Sequence, residues 1–560
     1  MKKFILLFSL IGFYTNFLNA QQTVGLFQND LGSFNGYTLY SPSGDTLTYL
    51  IDNCGNKVHT WHSQYKPGLY AYLQPDGRLL RGGVSPLPGS DFQAGGRAGI
   101  IQILDWNSNV LWEYETYTSS TIQHHDCRML PNGNILSLQW QKYDSLTSIQ
   151  NGRNPAFIPD GEIWSDKIVE YQPIGTDSAV IVWSWDFWDH MIQDFDPSKL
   201  NYGVVADHPE LININYVGFQ TTGIDDWTHC NAISYNDSLD QIVISARHTS
   251  EIYIIDHSTT TVEAASHSGG NMGKGGDLLY RWGNPAAYNR GTSVDQQLFT
   301  QHDSYWIPND LTDGGKIMIF NNGPRPSEDF SSVDIINPPR DGMGNYIINS
   351  GQAFGPLAPD WQYTAPVEED FYGQFISGAQ RLPNGNTLIC NGPEGNIFEI
   401  DNGNNVVWNY INPVLTNGIT LSQGDTLSSN NFPGLSGKNN LVFRAYRYGP
   451  DYAGLNGQTL TPTVPIELNP TPSSCTITGI NNLNPIYSAT IYPNPANEFI
   501  LIDINEPINT NYQIYDIAGK IVSSGVLNPG KNSINTSDLT NGVYFIQIDN
   551  YQVEKFIINY

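Results

Sequence analysis

Positive charge is scarce in this 560-residue chain, where 26 lysines and arginines stand against 54 acidic residues, a net charge of −28. A surface of that sign repels phosphate backbones and anionic membranes, which argues against nucleic acid as a partner. Cysteine is equally sparse. Cys54, Cys127, Cys230, Cys390 and Cys475 form no CxxC pair, and at most two disulfides form. No Cys/His spacing among them suggests structural zinc, although Cys127 and Cys230 each lie near a histidine. No long segment carries helical periodicity. After the N-terminus, no apolar run approaches the length needed to span a bilayer.

What the chain does have begins with a leader. MKKFILLFSLIGFYTNFLNA places Lys2 and Lys3 before a short apolar run and a small-residue cleavage site at Ala20. This reads as a secretory signal peptide over 1–20, so the mature protein is expected to be exported and soluble.

Two words then alternate over residues 21–462. One is a turn between apolar strands: "AYLQPDGRLL" (71–80), "RMLPNGNILSL" (128–138) and "QRLPNGNTLICNG" (380–392). Glycine after Asn or Asp accepts the positive φ of a hairpin turn. The other is a strand, a polar turn and a strand ending in Trp: "LIDNCGNKVHTW" (50–61), "ILDWNSNVLW" (103–112) and "FEIDNGNNVVW" (398–408). One of each per unit predicts four antiparallel strands, and repeated four-stranded units predict an all-β, six-bladed β-propeller. Five units are clear. The sixth is expected to close by "GYTLYSP" (36–42) pairing with "NNLVFRAYRY" (439–448).

Residues 463–486 are rich in Pro, Thr, Ser and Asn and read as a linker. Residues 487–560 show the alternation of a small Ig-like β-sandwich. Their words "YPNPANEFI", "IYDIAGKIV" and "LTNGVYFIQI" resemble the C-terminal sorting domain of type IX secretion cargo. That resemblance implies the type IX machinery as a partner and delivery outside the outer membrane or to the cell surface, with the periplasm as second choice.

Only eleven histidines are present. Three of them fall five residues before equivalent turn positions: His125 before Leu130, His302 before Ile307, and His229 before Ser234. The first strand of a propeller blade lines the axis, so three blades would aim an imidazole at one small volume. A single such histidine is most simply a packed core residue; three at one register make a site. Arg247 ends the second strand of the His229 unit and comes level with the ring. Strand alternation points His124 away from the His125 face. His248 is expected to be structural, and His59, His62, His190, His208, His257 and His267 to lie at the surface.

Imidazoles and an arginine around one volume suit transfer of a sulfuryl or phosphoryl group: one neutral ring attacks, and the others hold oxygens and move protons. A nucleotide donor is not supported, because "GGNMGKGGD" (269–277) lacks phosphate-loop spacing and a following Ser or Thr. "QHHDCRMLPNGNIL", "DWTHCNAISYN", "VISARHTSEIYIID" and "QHDSYWIPN" resemble the motif series of the bacterial arylsulfotransferases, the nucleotide-independent aryl-sulfate sulfotransferase family. The resemblance implies ping-pong transfer from a phenolic sulfate to a phenolic acceptor without a cofactor or metal. It implies His302 as the transiently sulfated nucleophile. His125, His229 and Arg247 become the oxyanion and proton-transfer groups, with Asn231 and His124 as substrate-binding helpers. Two other readings stand beside it: a three-histidine metalloenzyme, which Arg247 opposes on charge, and a non-catalytic secreted propeller acting as a binding module.

Overall fold

The structure is a computed structural model. It describes residues 22–87, 91–218, 225–326, 328–432, 434–471, 475, 491–504, 510–517, 520–548 and 554–559. The predicted leader lies outside these, as do 472–474 and 476–486 of the predicted linker. The chain divides into two compact units, Met1–Ile477 and Thr478–Tyr560.

Among the described residues, the first unit is built from six antiparallel sheets of four or five strands, with a two-stranded parallel pair, Met191–Ile192 and Ile212–Asn213, in addition. The strands Pro67–Leu73, Thr121–Met129, Cys230–Asn236 and His302–Trp306 each lead a four-stranded sheet. Gly378–Arg381 leads a five-stranded one, whose outermost strand is Gly25–Asn29. In the remaining sheet Val442–Tyr448 pairs with Tyr37–Pro42, joining the two ends of the unit as expected. The leading strands touch one another in closed cyclic order. The architecture is all-β and β-propeller-like. Among the described residues, the two α-helices are short, Ser145–Gln150 and Thr261–Ala264.

Local chemistry explains why the sheets close. The turns predicted from "LPNG" lie where expected, with Gly133 at φ +86° and Gly385 at φ +88°. The terminal Trp of each second word crosses to the next sheet. Trp61 Nε1 donates to Asp105 O (3.1 Å), Trp112 to Ser178 O (2.8 Å) and Trp408 to Asn53 O (2.8 Å). Trp282 repeats the contact on Pro356 O (2.7 Å). Each indole buries a large apolar face and satisfies its one donor on a neighbouring backbone. The Trp ending is therefore a joint between sheets.

Two findings differ from the linker expectation. Residues 463–465 run along the first sheet, where Thr463 N donates to Lys57 O (2.8 Å) and Lys57 N to Val464 O (3.1 Å). Cys475 forms a disulfide with Cys54, closing a sequence separation of 421 residues. Cys127, Cys230 and Cys390 are buried free thiols.

The second unit packs a three-stranded and a four-stranded sheet on one core, including Ile500, Ile502, Ile514, Ile546 and Phe556.

Candidate active site

The leading strands are bulged at one level: His125 stands within its bulge, and His229 and His302 immediately precede theirs. Gln123 pairs with Gln139 and Cys127 with Ser137, so three residues oppose one. Similar shifts fall between Cys230 and Ala232 and between His302 and Tyr305. His125 adopts φ +52° and His229 φ +49°. Such backbone is costly for residues other than glycine and is held where neighbours over-determine it. Here Gly96 is one such neighbour: His125 N donates to Gly96 O (2.8 Å), and a Cβ on Gly96 would fall inside the His125 ring.

The His125 and His229 rings meet edge to face with centroids 4.6 Å apart. Phe443 lies between two of the rings, 6.1 Å from His125 and 6.4 Å from His302. His125 and His302 are nearly enclosed, 3% and 2% exposed. Burial first, then the Arg247 charge, depresses the pKa of His302 well below the usual imidazole value. Burial and then His229 do the same to His125. Both rings are thus kept neutral at ordinary pH. Arg247 follows its strand in a turn, with its N donating to His229 O (3.2 Å), and burial lowers its own pKa to about 10.

Hydrogen bonds fix which nitrogen faces the centre. Asn322 Nδ2 donates to Gly373 O (2.6 Å) and Ile376 O (2.8 Å), so Asn322 Oδ1 is the atom 2.8 Å from His302 Nδ1. His302 Nδ1 therefore carries the proton and Nε2 the lone pair. His229 Nδ1 bonds Asp226 Oδ2, and His248 stacks on His229 at 4.6 Å while its Nδ1 bonds Asp226 O (2.8 Å). His248 is thus packed against the His229 ring. Asn231 donates from Nδ2 to Gln301 O (2.7 Å), and its Oδ1 is buried without a hydrogen-bond partner among the described residues.

His124 departs from the alternation reading. The bulge brings its Nδ1 to 2.9 Å from His125 Nδ1, while its ring stacks flat on Trp140 at 4.2 Å and its Nε2 lies 2.8 Å from Asp166 Oδ1. Its ring is fully buried. Burial alone would raise the Asp166 pKa, but His124 and hydrogen bonds from Thr228 and Cys230 N outweigh it and hold the carboxyl below its usual value. The surface reading of His190 and His257 is also corrected. His190 is 0% exposed, and His257 bridges Glu170 (3.0 Å) and Asp240 (2.8 Å).

A second group escaped the sequence reading although its signal was present. An Asp follows the histidine in both "HHD" and "QHD". Arg444 gathers these carboxylates: Nη1 lies 2.8 Å from Asp126, Nε 3.1 Å from Asp303, and Nη2 donates to Asn231 O (2.6 Å). Tyr72 OH completes Asp126 at 2.7 Å. Four sheets thus share one buried cation, which sets the register of the histidines beside it. Asp166 and Asn322 had no sequence signal, because each comes from another strand or its end, distant in sequence, whereas Asp226 stands only three residues before His229 in "DWTHC", where its signal was present.

Among the described residues, two groups bring three metal-ligating atoms together: Asp226, His229 and His248, and His190, His267 and Asp277. Neither is the three-histidine set of the metalloenzyme reading.

Residues 101–413 match the family model described as arylsulfotransferase, and residues 490–559 match the secretion-system C-terminal sorting domain. A curated relative, arylsulfate sulfotransferase AssT of Lelliottia amnigena, is 26% identical over 182 residues, 31% of this chain and 29% of that protein. The match therefore spans less than a third of the relative's length. Among solved structures, a protein of unknown function from Bacteroides caccae is similar with TM-score 0.36 and 13% identity, over 68% of this chain and 94% of that one. An inactive variant of virginiamycin B lyase from Staphylococcus aureus is similar with TM-score 0.31 and 9% identity, over 70% and 89%.

Proposed function

The chain belongs to the arylsulfotransferase family, and from that premise we propose that it moves a sulfuryl group from a phenolic sulfate ester to a phenolic acceptor through a sulfohistidine, without a nucleotide donor. The fold in this reading is a six-bladed propeller, supported by the six sheets and the cyclic contact of their leading strands. The observation that carries the proposal is the meeting of His125, His229, His302 and Arg247, with the lone pair of His302 Nε2 left free by Asn322.

The step runs as follows. His302 Nε2 bonds to sulfur as the bond from sulfur to the aryl oxygen breaks. The bonding pair leaves on that oxygen, which takes a proton from His125 or His229. The sulfated ring keeps Nδ1–H on Asn322, and Arg247 opposes the negative charge gathering on the sulfuryl oxygens. In the second half the acceptor phenol returns a proton, its oxygen bonds to sulfur, and the N–S pair goes back to Nε2. Asn231 Oδ1, buried and free of hydrogen bonds among the described residues, is suited to orient a donor group.

His124 acts one layer back. As His125 gives its Nε2 proton to the leaving oxygen, its Nδ1 is resupplied from His124 Nδ1, whose Nε2 remains on the Asp166 carboxylate. The sorting domain supports export to the cell surface or exterior, with an Ig-like sandwich as the element read by the type IX machinery.

The test is intact-mass measurement after mixing with an aryl sulfate. Wild-type protein gains one SO3, mapped to the peptide carrying His302, and His302→Ala does not. A normal sulfated intermediate in His302→Ala overturns the assignment.

A further inference from the structure

We propose that His190, His267 and Asp277 form a divalent transition-metal site, and that zinc is the ion its donors suit. His190 follows the last strand of the third sheet, Ser178–Asp186. His267 and Asp277 flank the glycine-rich stretch between the third and fourth strands of the next sheet. Their ligand atoms lie within 4.8 Å of one another. None of the three belongs to the histidine ring.

Hydrogen bonding sets the polarity of the site. His190 Nε2 is 2.8 Å from Ala264 O, and a carbonyl only accepts, so that nitrogen carries the proton. The other nitrogen, Nδ1, faces Asp277 Oδ1 at 2.9 Å, and His267 Nδ1 faces the same oxygen at 2.7 Å. Each Nδ1 meets that carboxylate oxygen either as an N–H or through a cation that it ligates. One proton serves one histidine, whereas one divalent ion satisfies all three donors together. A second carboxylate, Asp189, interacts electrostatically with both rings and adds to the negative field.

The rest of the site has the form of a metal centre with one fixed and one adjustable side. A ligating histidine typically anchors its other N–H on a carbonyl or carboxylate, as His190 does on Ala264. The His190 ring also lies flat against Trp185 at 5.5 Å, and Gly276 has no space for a Cβ beside it. His267 is on the open side, its side chain 64% exposed. Zinc ligands at their usual bond lengths sit roughly 3.4 Å apart, so each histidine–Asp277 gap opens by roughly half an ångström, through movement of the exposed His267 and a turn of the Asp277 carboxylate away from His190. Two imidazoles and a carboxylate suit zinc better than calcium, which prefers all-oxygen sets. The bound ion would tie the segment leaving one sheet to the loop of the next.

The experiment uses chelator-treated full-length protein titrated with ZnCl2, in wild type, His267→Ala and Asp277→Asn. Wild type is expected to bind one more zinc per chain than either variant, and to gain thermal stability with zinc where the variants do not. Sulfuryl transfer by His267→Ala remains at the wild-type level. Equal zinc stoichiometry in the three proteins, including none in any, overturns the site. An equal response of wild type to CaCl2 overturns the choice of ion.

Discussion

Asn322 holds His302 through a single bond, 2.8 Å from Oδ1 to Nδ1, while its own amide nitrogen is pinned by two carbonyls. The amide is thus unable to turn over, and the nucleophilic lone pair is kept on Nε2. Asn322→Ala is expected to slow sulfation of His302 about 10–100-fold, the scale for losing an orienting partner. Single-turnover mass measurement reads this directly. An unchanged rate would mean that packing alone fixes the ring.

Arg247 brings a positive charge to the ring without being a nucleophile or a base. Arg247→Ala is expected to lower turnover about 10²–10³-fold, the cost of losing one charge-stabilising donor. Arg247→Lys should recover part of it, since a point charge replaces the fork. Steady-state rates with a chromogenic donor check both, and wild-type turnover in the alanine variant would assign Arg247 to loop structure.

Asp166 touches no reacting atom in the proposed step, so its effect should depend on the leaving group. Asp166→Asn is expected to slow donors whose phenol is strongly basic about 10²-fold. Nitrophenyl sulfate, whose phenolate departs with little need of a proton, should lose much less. Equal losses for both donors would reduce the Asp166–His124 pair to support.

The pH dependence has a definite sign. The neutral form of His302 is the reactive one, and burial followed by Arg247, His229 and Arg444 depresses its pKa. The neutral form therefore persists as pH falls through the ordinary histidine value of about 6.5. Sulfation of the enzyme should stay level from about pH 8 to about pH 6 and fall only below that. In Arg247→Ala the acid limb should move upward, because a major positive neighbour is gone. A wild-type limb at the ordinary value would count against a neutral nucleophile.

Gly96 tests the backbone that holds the ring. Its φ of +91° and its contact with the His125 imidazole leave no place for a methyl group. Gly96→Ala should displace His125 and lower turnover while circular dichroism stays native. Full activity in that variant would show that the bulge does not depend on this contact.

The amino-acid sequence by itself determined the strands, the hairpin turns, the closing pair between Tyr37–Pro42 and Val442–Tyr448, and the shared register of His125, His229 and His302. All of these rest on local signals: period-two alternation, turn glycines, and a fixed offset from one turn to one histidine. The tertiary structure decided what alternation cannot encode. A bulge breaks the two-residue period and turns His124 toward His125, and Arg444 joins Asp126 and Asp303 from separate sheets. Asn322 and Asp166 come to their histidines only through strand pairing, and His190 is buried by a loop that begins 74 residues later with Ala264. Partners chosen across sheets depend on how the strands stack around the axis, a three-dimensional constraint that no short window of sequence contains.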